Sequence, residues 1–266
     1  MKIIAHRGGA FDTPENTLAS FANAIELDVE MMELDIHLSK DGIPVVIHDA
    51  TLDRTTNAGG PVRDRTAAEL RQIDAGKGEY VPQLSEVFEL AGDRTPLVLE
   101  FKAVEAVAPA IELIRAFPQV RWSGLSAFPE AQEQLKQAFP EMKPITGSLG
   151  SVKGAEGLLE LLKQHRETIP EAAIASFTER MRDFNLESDF EKAAELGAEI
   201  MIVYYTGIDA ALLNQAHQRG LKIGAWTVND PADAQHLLEL GTDFLITDDP
   251  KTMKALVENA GAAIAN

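Results

Sequence analysis

The chain has 266 residues, no cysteine, and 42 acidic against 24 basic side chains, a formal net charge of −18. That length suits one α/β barrel domain or two smaller domains; the missing thiols exclude disulfide chemistry, and the acidity excludes the basic footprint of a nucleic-acid-binding surface. An anionic substrate would need local positive charge or a metal ion to offset the global field.

Lys2 leads directly into a strand-like run rather than an apolar leader, and no run approaches the length of a membrane helix. The expectation is therefore a cytoplasmic protein without stable membrane insertion. Ile3 to Ala5 read as a buried strand that stops at His6, Arg7, Gly8 and Gly9, a histidine and a basic residue followed by a tight, donor-rich turn. Asn16 is placed to cap a helix whose apolar face is Leu18, Phe21, Ala22 and Ile25.

A second strand starts near Met31 and carries Glu33 and Asp35 on one face, since alternate side chains share a side. It runs into Asp41-Gly42, a strong hairpin signal. With Asp41 and Gly42 as the two turn residues, Lys40 faces Ile43 and Asp35 faces His48. One hairpin then gathers two carboxylates and an imidazole, a set suited to a hard divalent cation with an acid or base beside it. Residues 50–82 read as a short inserted segment, with turn residues at Asn57, Gly59, Gly60 and Pro61 and a capping box from Thr66 and Glu69.

Beyond it the rhythm is regular. Strands are expected at 97–102, 124–128, 143–149, 200–205, 222–228 and 244–247, with helices at 85–90, from Pro109, at 129–139, 154–166, 187–196, 209–218 and 231–240, and from Pro250. The stretch 170–186 reads as helix with an irregular break. Eight strands alternating with helical segments predict an α/β fold of the (β/α)8 barrel type, with residues 1–266 as one domain. The other possibility, an open doubly wound sheet, lacks a dinucleotide-binding glycine pattern. In a barrel the site lies at the C-terminal ends of the strands. There the topology would collect His6, Arg7, Glu33, Asp35, Glu100, Lys102, Trp226, Asn229 and Asp248.

His6-Arg7-Gly8-Gly9 with Pro14-Glu15-Asn16-Thr17, Glu33 to Ile36, Ser39 to Gly42, Val45 to Asp49, Leu52 to Gly60, Leu99 to Lys102, Trp226 to Asp230 and Leu245 to Pro250 together resemble the glycerophosphodiester phosphodiesterase family. The motifs run through the chain in order and are densest before residue 102. The resemblance implies hydrolysis of a small-molecule glycerophosphodiester to sn-glycerol 3-phosphate and an alcohol. It implies one divalent cation, Mg²⁺ or Ca²⁺, on Glu33, Asp35 and Glu100, and phosphate binding by Arg7 and Lys102. His6 and His48 divide the roles of acid and base, in an order the sequence leaves open. Trp226 packs on the glycerol, Asp49 orients His48, and Asn16 stands behind the first ring of residues. Water and the substrate's own hydroxyl are both available nucleophiles in this reading. His37 is expected to face solvent, as are His165, His217 and His236. A catalytically silent barrel that binds a phosphorylated ligand or a protein partner, and a lysophospholipid-type phosphodiesterase of the same superfamily, are the alternatives. The sequence does not set the oligomeric state.

Overall fold

The computed structural model describes residues 1–164, 174–175, 178–179, 181 and 184–264. Its contacts group into two units: Lys2–Pro144 with Ile246–Asn266, and Ile145–Leu245 with Met1.

The first unit begins with β1 (Lys2–Ala5), a 3-10 turn (His6–Gly8) and α1 (Leu18–Glu26). The turn passes through left-handed backbone at Arg7, Gly8 and Gly9. Gly8 is required there, because a Cβ would lie 2.4 Å from Ser20 Oγ. Thr17, not Asn16, caps α1: its side chain accepts from the Ser20 N–H, and the Ser20 hydroxyl accepts from the Thr17 N–H. Asn16 has φ +56 and is turned inward.

Strand β2 (Met31–Leu38) pairs in parallel with β1 and with β4 (Leu97–Phe101), which pairs with β5 (Trp122–Leu125). With neighbours on both edges, Met32 to His37 are all buried. Leu34 and Ile36 fill one face while Glu33 and Asp35 take the other. Register places Asp35 beside Glu100.

The hairpin from β2 to β3 (Pro44–Val46) is one residue out of the predicted register. Ile36 pairs with Val46 and His37 with Val45. Asp35 therefore meets Ile47, whose N–H donates to its carbonyl at 3.0 Å, and His48 lies beyond the strand. The cause is a three-residue loop, Lys40-Asp41-Gly42, between Ser39 and Ile43. The Ser39 N–H donates to the Ile43 carbonyl, and Ser39 Oγ accepts from the Ile43 N–H and donates to Asp41. Gly42 supplies the left-handed residue, φ +78, of this wider turn.

The inserted segment holds a 3-10 turn (Val62–Asp64) and α2 (Ala67–Leu70), with the predicted Thr66–Glu69 capping box present. It is less polar than its sequence implies. Leu52, Val62, Ala67, Leu70 and Val81 bury themselves against Val45 and Ile47. Helices α3 (Leu84–Ala91), α4 (Val107–Ala116) and α5 (Pro129–Ala138) follow. Pro109 sits inside the first turn of α4 rather than opening it.

The second unit has β6 (Ile145–Ser148), α6 (Val152–Gln164), α7 (Leu186–Leu196), β7 (Ile200–Tyr204), α8 (Ala210–Gln218), β8 (Lys222–Trp226), α9 (Pro231–Leu240) and β9 (Phe244–Thr247), the last two residues of β9 belonging to the first unit. The ladders β6–β7, β7–β8 and β8–β9 are parallel. Gly197 and Gly241 end their helices in left-handed conformation, and Asp230 caps α9 ahead of Pro231, as expected. Most of the stretch expected to be irregular, 170–186, and His165 lie outside the described residues. The chain closes with α10 (Pro250–Ile264). The strand–helix alternation, with one antiparallel strand added after β2, is that of the (β/α)8 class. No described helix is long and apolar enough to cross a membrane.

Candidate active site

The first unit assembles most of the predicted site from strand ends and the loops that follow them. Glu33 and Asp35 come from β2 and Glu100 from β4, and one carboxylate oxygen of each lies within 4.8 Å of the others. Such crowding of like charge needs compensation. Asp35 takes most of what is available. Lys102 Nζ is 3.1 Å from its Oδ1, Asn16 Nδ2 donates to its Oδ2 at 2.8 Å, and Arg7 Nε stands 3.5 Å away. Burial pushes the Asp35 carboxyl up, but Lys102, His48, Arg7 and the Asn16 hydrogen bond outweigh it and hold it well below the usual carboxylate range.

Glu33 is the opposite case. Burial, then the charges of Asp35 and Glu100, push its carboxyl well above the ordinary value. Its Oε2 accepts from the Arg7 backbone N–H at 2.8 Å, whereas Oε1 is buried without a hydrogen-bond partner. A buried carboxylate oxygen with no donor, in a set of three oxygen-only ligands, fits a hard divalent cation. Two cationic side chains, Lys102 and Arg7, balance this charge. Lys102 bonds Glu100 at 2.7 Å as well as Asp35, and together with Glu33 these hold its ammonium above its ordinary value despite burial. Arg7 is likewise largely buried, which pushes its guanidinium down, but Asp35, Glu15 and Glu33 outweigh burial and hold it above its ordinary value.

Both predicted histidines stand against a carboxylate. His6 Nδ1 is 2.7 Å from Asp248 Oδ1, and His48 Nδ1 is 2.6 Å from Asp49 Oδ1. An ionised carboxylate only accepts, so each Nδ1 carries the hydrogen and each Nε2 is left for proton exchange. His6 Nε2 is 4.0 Å from Glu33 Oε2.

His37 does not face solvent. It is buried, and its Nε2 donates to the backbone carbonyl of His48 at 3.1 Å, because the shifted hairpin register turns it beneath the loop that carries His48. Burial holds its imidazole below the ordinary value. His217 and His236 lie at the surface of the second unit, His217 paired with Asp243 at 2.9 Å. Trp226 ends β8 in that same unit, its ring 5.8 Å from Tyr204 in an edge-on contact.

Sequence reasoning gave no role to three residues that the structure ties to this site. Asp248 orients His6. Glu15 accepts from Arg7 Nη1 at 2.8 Å. Arg54 binds Glu15 and Asp49 at once. All three fall within motifs singled out by sequence, yet nothing local shows which partner each would meet.

The glycerophosphoryl diester phosphodiesterase family model matches residues 6–122 and 153–252. A glycerophosphodiester phosphodiesterase from Caldanaerobacter subterraneus is 33% identical, covering 97% of this chain and 98% of its own. A human lysophospholipase D is 27% identical over 98% of this chain and 87% of its own. Among solved structures, a phosphodiesterase from Oleispira antarctica in complex with the product sn-glycerol-3-phosphate is 26% identical, with a TM-score of 0.78 and 97% of each chain covered.

Proposed function

Because the chain belongs to the glycerophosphoryl diester phosphodiesterase family, we propose that it hydrolyses glycerophosphodiesters to sn-glycerol 3-phosphate and an alcohol. The observation that supports this most directly is the pairing of two carboxylate-held imidazoles with the Glu33–Asp35–Glu100 cluster. Glu33, Asp35 and Glu100 are the ligands for Mg²⁺ or Ca²⁺, which when bound neutralises charge on a phosphate oxygen. Arg7 supplies a donor to the same phosphate: its Nε is buried and has no hydrogen-bond partner. Lys102, beside Asp35 Oδ1 and Glu100, adds a second cation. One of His6 and His48 accepts, through Nε2, the proton of the attacking group, water or the substrate's own hydroxyl. The other delivers a proton to the leaving alcohol. Asp248 and Asp49 stabilise the imidazolium formed in each case and fix its tautomer. Asn16 holds Asp35 in its ligating orientation.

The test is turnover of glycerophosphocholine and glycerophosphoethanolamine, resolved by phosphorus NMR, after chelation and after re-addition of each cation. Chelated protein should be inactive and recover with Mg²⁺ or Ca²⁺. His6→Ala and His48→Ala should each lose at least about 10²-fold in kcat while remaining folded. Full activity after verified cation removal would end the reading. Binding of glycerol 3-phosphate by calorimetry without hydrolysis of any diester would mark a silent barrel instead.

A lysophospholipid is the second substrate class to test. Favouring it are the resemblance to the human lysophospholipase D and an exposed aromatic, Phe11, whose N–H is bonded to the Asp248 carbonyl. Against it, the apolar side chains of the inserted segment are spent on that segment's own core. A higher kcat/KM on a lysophospholipid than on the water-soluble diesters would decide for it.

A further inference from the structure

Arg54, from the inserted segment, has a guanidinium committed on both sides. Nε donates to Asp49 Oδ2 at 2.7 Å and Nη2 to Asp49 Oδ1 at 3.1 Å. Nη1 donates to Glu15 Oε2 at 2.9 Å and Nη2 to Glu15 Oε1 at 2.7 Å. Each carboxylate is thus gripped by a two-point fork. Each also holds a residue of the proposed machinery through an oxygen that Arg54 shares, His48 on Asp49 Oδ1 and Arg7 on Glu15 Oε1. The order is His48, Asp49, Arg54, Glu15, Arg7.

We infer that Arg54 is a positioning residue that sets His48 and Arg7 together, so that the proton-transfer group and the phosphate-binding group are aligned by one guanidinium. The inference rests on the hydrolase reading above. Its physical basis is the geometry of the fork. A carboxylate held at two points cannot rotate about its own axis, so the oxygen facing His48 Nδ1 is fixed, and with it the plane of the ring. Without Arg54, Glu15 and Asp49 would be two carboxylates with no cation between them. Asp49 would be free to turn away from His48, and Arg7 would be drawn toward Glu15. Lysine could neutralise the pair but could not grip both carboxylates in their planes. The Arg54 side chain is 37% exposed and Glu15 only 16%, so this doubly forked network contributes to folding as well; alignment is singled out because both forks end on carboxylates that also hold His48 and Arg7. Misplacement of a reacting group by a fraction of its working distance lowers rate by up to about 10²-fold.

Arg54→Ala and Arg54→Lys, beside the unaltered protein, test this in three measurements: kcat and KM on glycerophosphocholine with saturating divalent cation, the thermal midpoint, and the imidazole N–H resonances of ¹⁵N-histidine protein. The expected result for Arg54→Ala is a fall in kcat of about 10- to 10²-fold. KM should rise several-fold, the His48 Nδ1–H resonance should be lost to exchange, and the fall in kcat should persist at temperatures well below the variant's own thermal midpoint. Arg54→Lys should remain at least about tenfold down in kcat, and guanidinium ion should restore part of the activity of Arg54→Ala but not of Arg54→Lys. If Arg54→Ala does not fold, Arg54→Lys carries the test. Full kcat in Arg54→Lys would reduce the role to charge alone and overturn the inference, as would an unchanged His48 resonance in either variant. An inactive unaltered protein would refute the hydrolase reading, and the resonance would still decide the alignment.

Discussion

Three carboxylates share one cluster, and their environments push two of them in opposite directions. Asp35 has the lysine, the asparagine and the arginine; Glu33 has one backbone N–H and an unpartnered oxygen. The consequence for stability follows from the direction of the Glu33 shift. A carboxyl raised in the folded state keeps its proton after the unfolded chain has released it, so the folded state loses stability as pH climbs from the ordinary value of 4.5 toward the folded one. The Asp35 contribution has the reverse sign and is lost only as pH falls below its ordinary value of 3.8. In chelator, the thermal midpoint of the unaltered protein should therefore decline between weakly acid and neutral pH. Glu33→Gln should remove that decline and sit higher at neutral pH. Added Mg²⁺ or Ca²⁺ should raise the midpoint of the unaltered protein and leave Glu33→Gln unmoved. Calorimetric scans of both proteins across pH, with and without cation, check this. An identical pH slope in the two would show that Glu33 is not the strained member.

At the scale of elements, the turns after β1 and β2 decide where the functional side chains point. Both use left-handed glycine, with different tolerance for a side chain. At Gly42 nothing lies within 4 Å of the place a Cβ would occupy, so Gly42→Ala meets only backbone strain and should cost about 1 kcal/mol. At Gly8 the same strain is joined by a Cβ 2.4 Å from Ser20 Oγ and 2.9 Å from a Phe21 ring carbon, both deep in the packing of α1. Gly8→Ala should destabilise clearly more and, by moving the turn that carries His6 and Arg7, should lower kcat as well. Denaturant unfolding and turnover of the two variants separate the cases; equal losses would mean the β1 turn relaxes without disturbing α1. The hairpin shows how much one turn residue matters. A two-residue loop would have set His48 across from Asp35; the three-residue loop moves every partner by one and places His37 under the His48 carbonyl.

For the molecule as a whole, the formal charge of −18 opposes any anionic substrate at long range, while Arg7, Lys102 and Arg54 attract it at short range. Salt screens the first far more than the second, because the site's charges act within a Debye length. A glycerophosphodiester with a neutral alcohol group carries net negative charge, whereas glycerophosphocholine carries none. Raising ionic strength from about 10 mM to about 150 mM at fixed divalent cation should therefore raise kcat/KM for the anionic diester relative to the zwitterionic one. Steady-state kinetics on the pair of substrates measures it, and a ratio that falls with salt would mean that the local cations dominate the approach.

Strand and helix order, the capping box at Thr66, the glycine stops at Gly197 and Gly241 and the strand ends bearing His6, Glu33, Asp35, Glu100 and Lys102 were all legible in the sequence. Each follows from local rules: periodicity, side-chain capping, and backbone that only glycine adopts freely. Three features were decided only by tertiary structure. Asn16 reads as a cap because its side chain suits one, but the cap falls to Thr17, and Asn16 turns in to Asp35 nineteen residues later. Register in the β2–β3 hairpin depends on a serine side chain bridging the turn, a contact that no alternation pattern records. The pairings of His6 with Asp248 and of Arg54 with Glu15 join residues 242 and 39 positions apart. A charged side chain in sequence announces that it will need a partner; which one it receives is set by where the folded backbone brings opposite charge out of water.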